Sequence, residues 1–90
     1  MKTVIVTYKV SESFADTNTA NIQRVMADLR ELADDSVRYH AFRKEDGVSF
    51  VHFAMFRDEA AAERGIPVPS FGEFQAALKA SKPLEPPTSA

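Results

Sequence analysis

The stretch 36–57, SVRYHAFRKEDGVSFVHFAMFR, constrains the fold more than any other part of this chain. It reads as two strands, about 36–44 and 48–57, because β-branched and aromatic residues dominate both runs and Asp46-Gly47 marks a tight hairpin between them. Both faces of that hairpin are apolar. Phe42, Val48, Phe50 and Phe56 occur beside Tyr39, Val51, Phe53 and Met55. A sheet built on this hairpin therefore needs cover on two sides.

The loop Lys44-Glu45-Asp46-Gly47 sets the register, and two turns are open. A type I turn with Gly47 left-handed pairs Lys44 with Val48 and puts His40 opposite His52. A two-residue Asp-Gly turn puts the two histidines on opposite faces, since a one-residue slip inverts every side chain. Lys and Glu have little reason to adopt the positive φ of a primed turn, which favours the first.

Upstream, residues 2–10 alternate, with Val4, Val6, Tyr8 and Val10 on one face and Thr3, Ile5, Thr7 and Lys9 on the other, a strand pattern. Ser13 is the expected N-cap of a helix, with Asp16 as its acidic partner. Ile22, Val25, Met26, Leu29, Leu32 and Ala33 then fall on one helical face, giving a helix of about 18–20 residues that ends at Asp34-Asp35-Ser36. Downstream, residues 58–68 begin as a helical turn and open into a loop at Gly65 and Pro67. Ser70 and Glu73 read as a capping box opening a second helix, whose buried stripe is Phe71, Phe74 and Leu78. Residues 83–90 hold three prolines within five positions and can add at most a short edge strand. The expected organisation is one domain over residues 1–82 followed by that tail.

The order β-α-β-β-α-(β) is that of a ferredoxin-like α+β fold with an antiparallel sheet. Two helices cover only one face of such a sheet. The second apolar face predicts a homodimer through the sheet, two protomers closing into a dimeric α+β barrel.

Composition narrows the function classes. The 90 residues carry a net charge of -2, and no run of Lys or Arg forms a stripe, so nucleic acid is not an expected partner. No segment approaches the roughly 20 apolar residues that span a bilayer, so no membrane partner is expected either. With no cysteine, thiolate chemistry and disulfides are excluded, which fits a cytoplasmic location. Three glycines supply neither a phosphate loop nor a dinucleotide fingerprint.

With VIVTYKV opening the fold, SVRYHAFRKEDGVSFVHFAMFRDEAA as hairpin and following turn, and PSFGEFQAALK as second helix, the chain resembles the dimeric α+β barrel superfamily. Within it, the likeness is to antibiotic-biosynthesis-monooxygenase-like domains and covers roughly residues 2–80. The resemblance implies a cofactor-independent monooxygenase or isomerase acting on a hydrophobic aromatic molecule, or a noncatalytic ligand-binding or stress-associated barrel. It implies no cofactor. Active members often carry a Trp near the end of the third strand, where this chain has Phe56 and no Trp anywhere. Haem-degrading members carry a His on the helical segment after that strand and an Asn on the first strand. This chain has neither.

Candidate site residues follow from chemistry. His40 and His52, if opposed, could work as acid and base near neutral pH, with Tyr8 as a third catalytic group donating to a developing oxyanion. The competing reading is that imidazoles and strand tyrosines pack and hydrogen-bond within a core. Two histidines fall short of the three or more ligands usual for a metal, so no metal is expected. Substrate-binding candidates are Tyr39, Arg38, Phe42, Phe50, Phe56 and Phe74. Arg38 would hold an acidic or enolate group, and the aromatics would line an apolar cavity.

Overall fold

A computed structural model describes residues 1–89. Seven elements follow in order: β1 (Lys2–Lys9), α1 (Glu12–Leu32), β2 (Val37–Arg43), β3 (Ser49–Phe56), α2 (Glu59–Arg64), α3 (Pro69–Ala80) and β4 (Glu85–Ser89). The four strands form one sheet in the order β2-β3-β1-β4, with every neighbouring pair antiparallel. This is the ferredoxin-like arrangement. None of its helices is long and apolar enough to cross a membrane, among the described residues.

The alternation in β1 sends Val6, Tyr8 and Val10 toward α1 and α3, where they pack with Ile22, Val25, Phe50, Phe74 and Leu78. Val10 is fully buried, and its N–H donates to the Val48 carbonyl at 2.9 Å, so the chain turns into α1 directly after it. That placement moves the start of α1 two residues ahead of the expected one. Ser11, not Ser13, is the N-cap, and Asp16 pairs instead with Arg43 at 3.0 Å. The other end also differs. Ala33 takes a left-handed conformation (φ 54°) that stops the helix, and Leu32 is half exposed rather than part of the buried stripe.

The start of α3 departs from expectation in the same direction. Val68 precedes the helix, Pro69 sits at its first position, and Ser70 lies inside the first turn, buried. Proline suits that position because its φ is already helical and the N–H it lacks has no intrahelical partner there. The aromatic stripe itself is as expected, with Phe74 and Leu78 buried and Phe71 half-buried beside them.

The hairpin register is the consequential correction. The Gly47 N–H donates to Lys44 at 3.0 Å and Gly47 has φ 79°, as a turn over Lys44–Gly47 requires. The strands, however, resume one residue later than the favoured pairing, with the Lys44 N–H donating to the Ser49 carbonyl at 2.8 Å. Asp46 is the cause. Its Oδ1 accepts from the N–H groups of both Val48 and Ser49, at 3.0 and 2.8 Å, which holds Val48 in the loop. His40 therefore stands opposite Phe53, and His52 opposite Ala41. The two histidines face opposite sides of the sheet, and a site formed by both is excluded within one chain.

The face turned away from the helices carries Ile5, Phe42, Val51, Phe53 and Met55, by the strand register. Phe42 is 56% exposed and meets Phe53 edge to face, with ring centroids 5.8 Å apart.

Candidate functional site

On the helix side, three strands bring Tyr8 (β1), His52 (β3) and Tyr39 (β2) together. The His52 Nε2 is 2.8 Å from the Tyr8 hydroxyl, and its Nδ1 bonds the Tyr39 hydroxyl. From α1, Asn18 Nδ2 donates to the Tyr8 hydroxyl at 2.8 Å. The result is one chain of hydrogen bonds, Asn18–Tyr8–His52–Tyr39. Aromatic contacts fix its planes: the His52 ring stacks on Phe74 at 5.4 Å and Tyr8 stacks on Phe50 at 5.4 Å.

Burial decides the charge state of this chain. Loss of solvation pulls the His52 pKa from its usual 6.5 down to about 4, so the imidazole is neutral at pH 7. The same effect pushes Tyr8 up to about 12 against the opposing hydrogen bond from Asn18. Tyr39 is raised by burial first and by neighbouring Tyr8 second. A neutral imidazole has one N–H and one bare nitrogen. One of the two tyrosine hydroxyls therefore donates to His52 and the other accepts from it; with the Tyr8 proton on the Nε2 side, Nδ1–H donates to the Tyr39 oxygen. In that tautomer the Tyr39 proton is free to donate to an oxygen in the adjoining space.

That space is a cavity of about 570 Å³ between the sheet, α3 and β4. Tyr8, Tyr39 and His52 supply its buried polar groups, Phe71, Phe74 and Leu78 wall it from α3, and Pro83, Pro86 and Pro87 line it from the C-terminal segment. An apolar pocket of this size with a few converging polar groups is the common form of a small-molecule site.

The candidate residues thus divide. Tyr8, Tyr39, His52 and Phe74 meet at this cavity. Arg38, His40, Phe42 and Phe50, together with Tyr39 again, border a more open groove of about 650 Å³ between α1 and the β2 edge. The groove shows no comparable network, and its Arg43 is held by Asp16 and Gly47. Phe56 is buried but lines neither space. Among the described residues no three His, Cys, Asp or Glu side chains are grouped to hold a metal.

Asn18 was not legible as a site residue, although a signal existed. It occupies the buried stripe of α1 between Ala15 and Ile22 and is fully buried. An amide in an apolar stripe must find a buried partner, because burying it unpaired is costly.

Solved structures with this fold are numerous. A crystal structure of an antibiotic biosynthesis monooxygenase superposes with a TM-score of 0.78 at 15% identity, over 100% of this chain and 94% of that one. The protein PA3566 from Pseudomonas aeruginosa gives 0.76 at 22% identity, over 98% and 87%. SnoaB, a cofactor-independent oxygenase from Streptomyces nogalater, gives 0.61 at 20% identity, over 98% and 88%. The chain thus has the fold of antibiotic biosynthesis monooxygenase-like proteins. No family model and no curated protein matches it in sequence.

Proposed function

We propose that the chain is a small dimeric oxygenase that acts on a hydrophobic aromatic molecule without a cofactor. The observation that carries this reading is the apolar cavity ending on the neutral Asn18–Tyr8–His52–Tyr39 chain. The likeness in fold to a cofactor-independent oxygenase supports it.

An electron-rich phenol or enol can itself reduce O2 once its oxygen carries developing negative charge. For a ring methylene the balance is CH2 + O2 giving C=O + H2O, with the substrate as reductant. The protein must stabilise the oxyanion. His52 is a poor free-standing base for this, since a proton moving from a phenol near pKa 10 to a group near 4 costs roughly 8 kcal/mol. Hydrogen-bond donation is the better role. The Tyr39 hydroxyl, held by His52, meets the substrate oxygen and favours its charged form, the substrate proton passing to solvent water and returning in the H2O formed.

The occupation of both His52 nitrogens by tyrosine hydroxyls favours a second reading, a noncatalytic binding module. One experiment separates the two. Phenolic bicyclic and tricyclic compounds that raise the thermal midpoint are assayed for oxygen uptake. The enzyme reading expects uptake that falls at least tenfold in Tyr39→Phe without loss of fold. Ligand binding with no uptake in the wild type would leave the binding module standing.

The dimer in this reading rests on the outward face with Ile5, Phe42, Val51, Phe53 and Met55. Light scattering at micromolar concentration is expected to give twice 10.0 kDa, and Phe53→Asp to give 10.0 kDa. A wild-type monomer at that concentration would remove the sheet-to-sheet barrel.

A further inference from the structure

The cavity is electrically lopsided. Two lysines line it, Lys79 in the last turn of α3 and Lys82 just beyond, and no Asp or Glu does. This occurs in a chain whose net charge is -2. Neither ammonium is in an ion pair among the described residues, where the pairs are Lys2–Glu59, Arg43–Asp16 and Arg57–Asp35. Lys79 has an ordinary role available, since a cation complements the dipole at a helix C-terminus. Lys82 lies past the helix with φ 54°, a left-handed conformation that glycine or asparagine would adopt with less strain.

The two ends of the cavity differ in what they accept. His52 and Tyr8 are buried and uncharged at pH 7, and an anion against them would lose its hydration with no counter-charge. The lysines are exposed, so a carboxylate beside them keeps solvent and gains two cations. The two ends are separated along α3: Tyr39 meets Phe71 in its first turn at 6.0 Å, His52 stacks on Phe74 one turn on, and Lys79 lies in the last turn, about 12 Å of helix rise from Phe71. The aromatic rings and prolines that line the cavity suit a flat ring system.

From this polarity we infer that the ligand is an aromatic acid, bound with its carboxylate at Lys79 and Lys82 and its neutral, hydroxyl-bearing end at Tyr39. The inference rests on the cavity being a ligand site, as proposed above, and adds the charge and direction of the ligand. It also makes the two lysines specificity-determining residues that touch no reacting atom.

The test uses 6-hydroxy-2-naphthoate, which carries its two groups at opposite ends, and its methyl ester, which lacks the charge. In calorimetry at low salt the acid is expected to bind the wild type about fivefold to tenfold more tightly than the ester. That preference is expected to shrink at about 0.5 M salt and to vanish in Lys79→Met/Lys82→Met, where acid and ester bind with equal affinity. Both lysines are exposed, so the double variant retains the core, checked by its circular dichroism. Equal binding of acid and ester by the wild type would overturn the inference and leave the cavity reading intact. A preference surviving in the double variant would also overturn it. Binding of neither compound would overturn both.

Discussion

Phe74→Ala is expected to lower the free energy of unfolding by about 3–5 kcal/mol, the range for truncating a buried phenylalanine. Phe74 is 5% exposed and is the hub of the aromatic cluster, with His52 stacked on it and Tyr8 and Phe71 tilted against it at 6.5 and 5.8 Å. Its loss removes the wall between core and cavity, so the hole joins an existing space and neighbours have little reason to collapse into it. Urea denaturation at fixed protein concentration measures the effect, since association would otherwise shift the midpoint. Phe42→Ala is the contrast. That ring is 56% exposed on the opposite face, and its truncation in a monomer should cost far less. A loss below about 1 kcal/mol in Phe74→Ala would mean that α3 does not dock through Phe74 as described.

The parts of the fold that were legible in sequence are those set by local periodicity. The alternation of Val4, Val6, Tyr8 and Val10 and the Phe71–Phe74–Leu78 stripe require only the pleat and the helical turn. The features that were not legible depend on competition between neighbouring residues for the same backbone groups. Ser13 and Ser70 are good capping residues, but the buried Val10 and the helix-ready Pro69 started each helix earlier. The hairpin turned on whether the Asp46 carboxylate would capture two backbone N–H groups, which turn preferences alone do not decide.

The same contrast governs the site. Tyr8, Tyr39 and His52 were recognisable as chemistry-bearing residues, and the pairing of His52 with His40 was not sound, because it hung on the register. The partners His52 found instead are tyrosines on the two flanking strands. Asn18 carries a signal of another kind. A polar side chain at a core spacing is informative even when no motif surrounds it.

Acid should destabilise this protein across a defined window. The unfolded chain protonates its histidine near pH 6.5, whereas burial holds folded His52 near 4. Between those values the unfolded state binds the extra proton, so stability rises with pH there. The contribution of neutral His52 is therefore complete above about pH 6.5, is lost as pH falls through the window, and is gone below about 4. The difference in pKa corresponds to about 3 kcal/mol. Carboxylates act lower. Asp46 is held near 2 by the Ser49 hydroxyl and two backbone N–H groups, and Asp34 is lowered by its bonds to Ser36, so their loss begins where the His52 effect is ending. Urea midpoints measured from pH 7.5 to 4 should fall for the wild type. His52→Gln keeps polar atoms near Tyr8 and Tyr39 but has no proton to gain, so it should start less stable and decline much less over the same range. A wild-type curve flat from pH 6.5 to 4 would mean that folded His52 takes up its proton as readily as the unfolded chain. The neutral hydrogen-bond chain, and with it the role assigned to the Tyr39 hydroxyl, would then lose its physical basis.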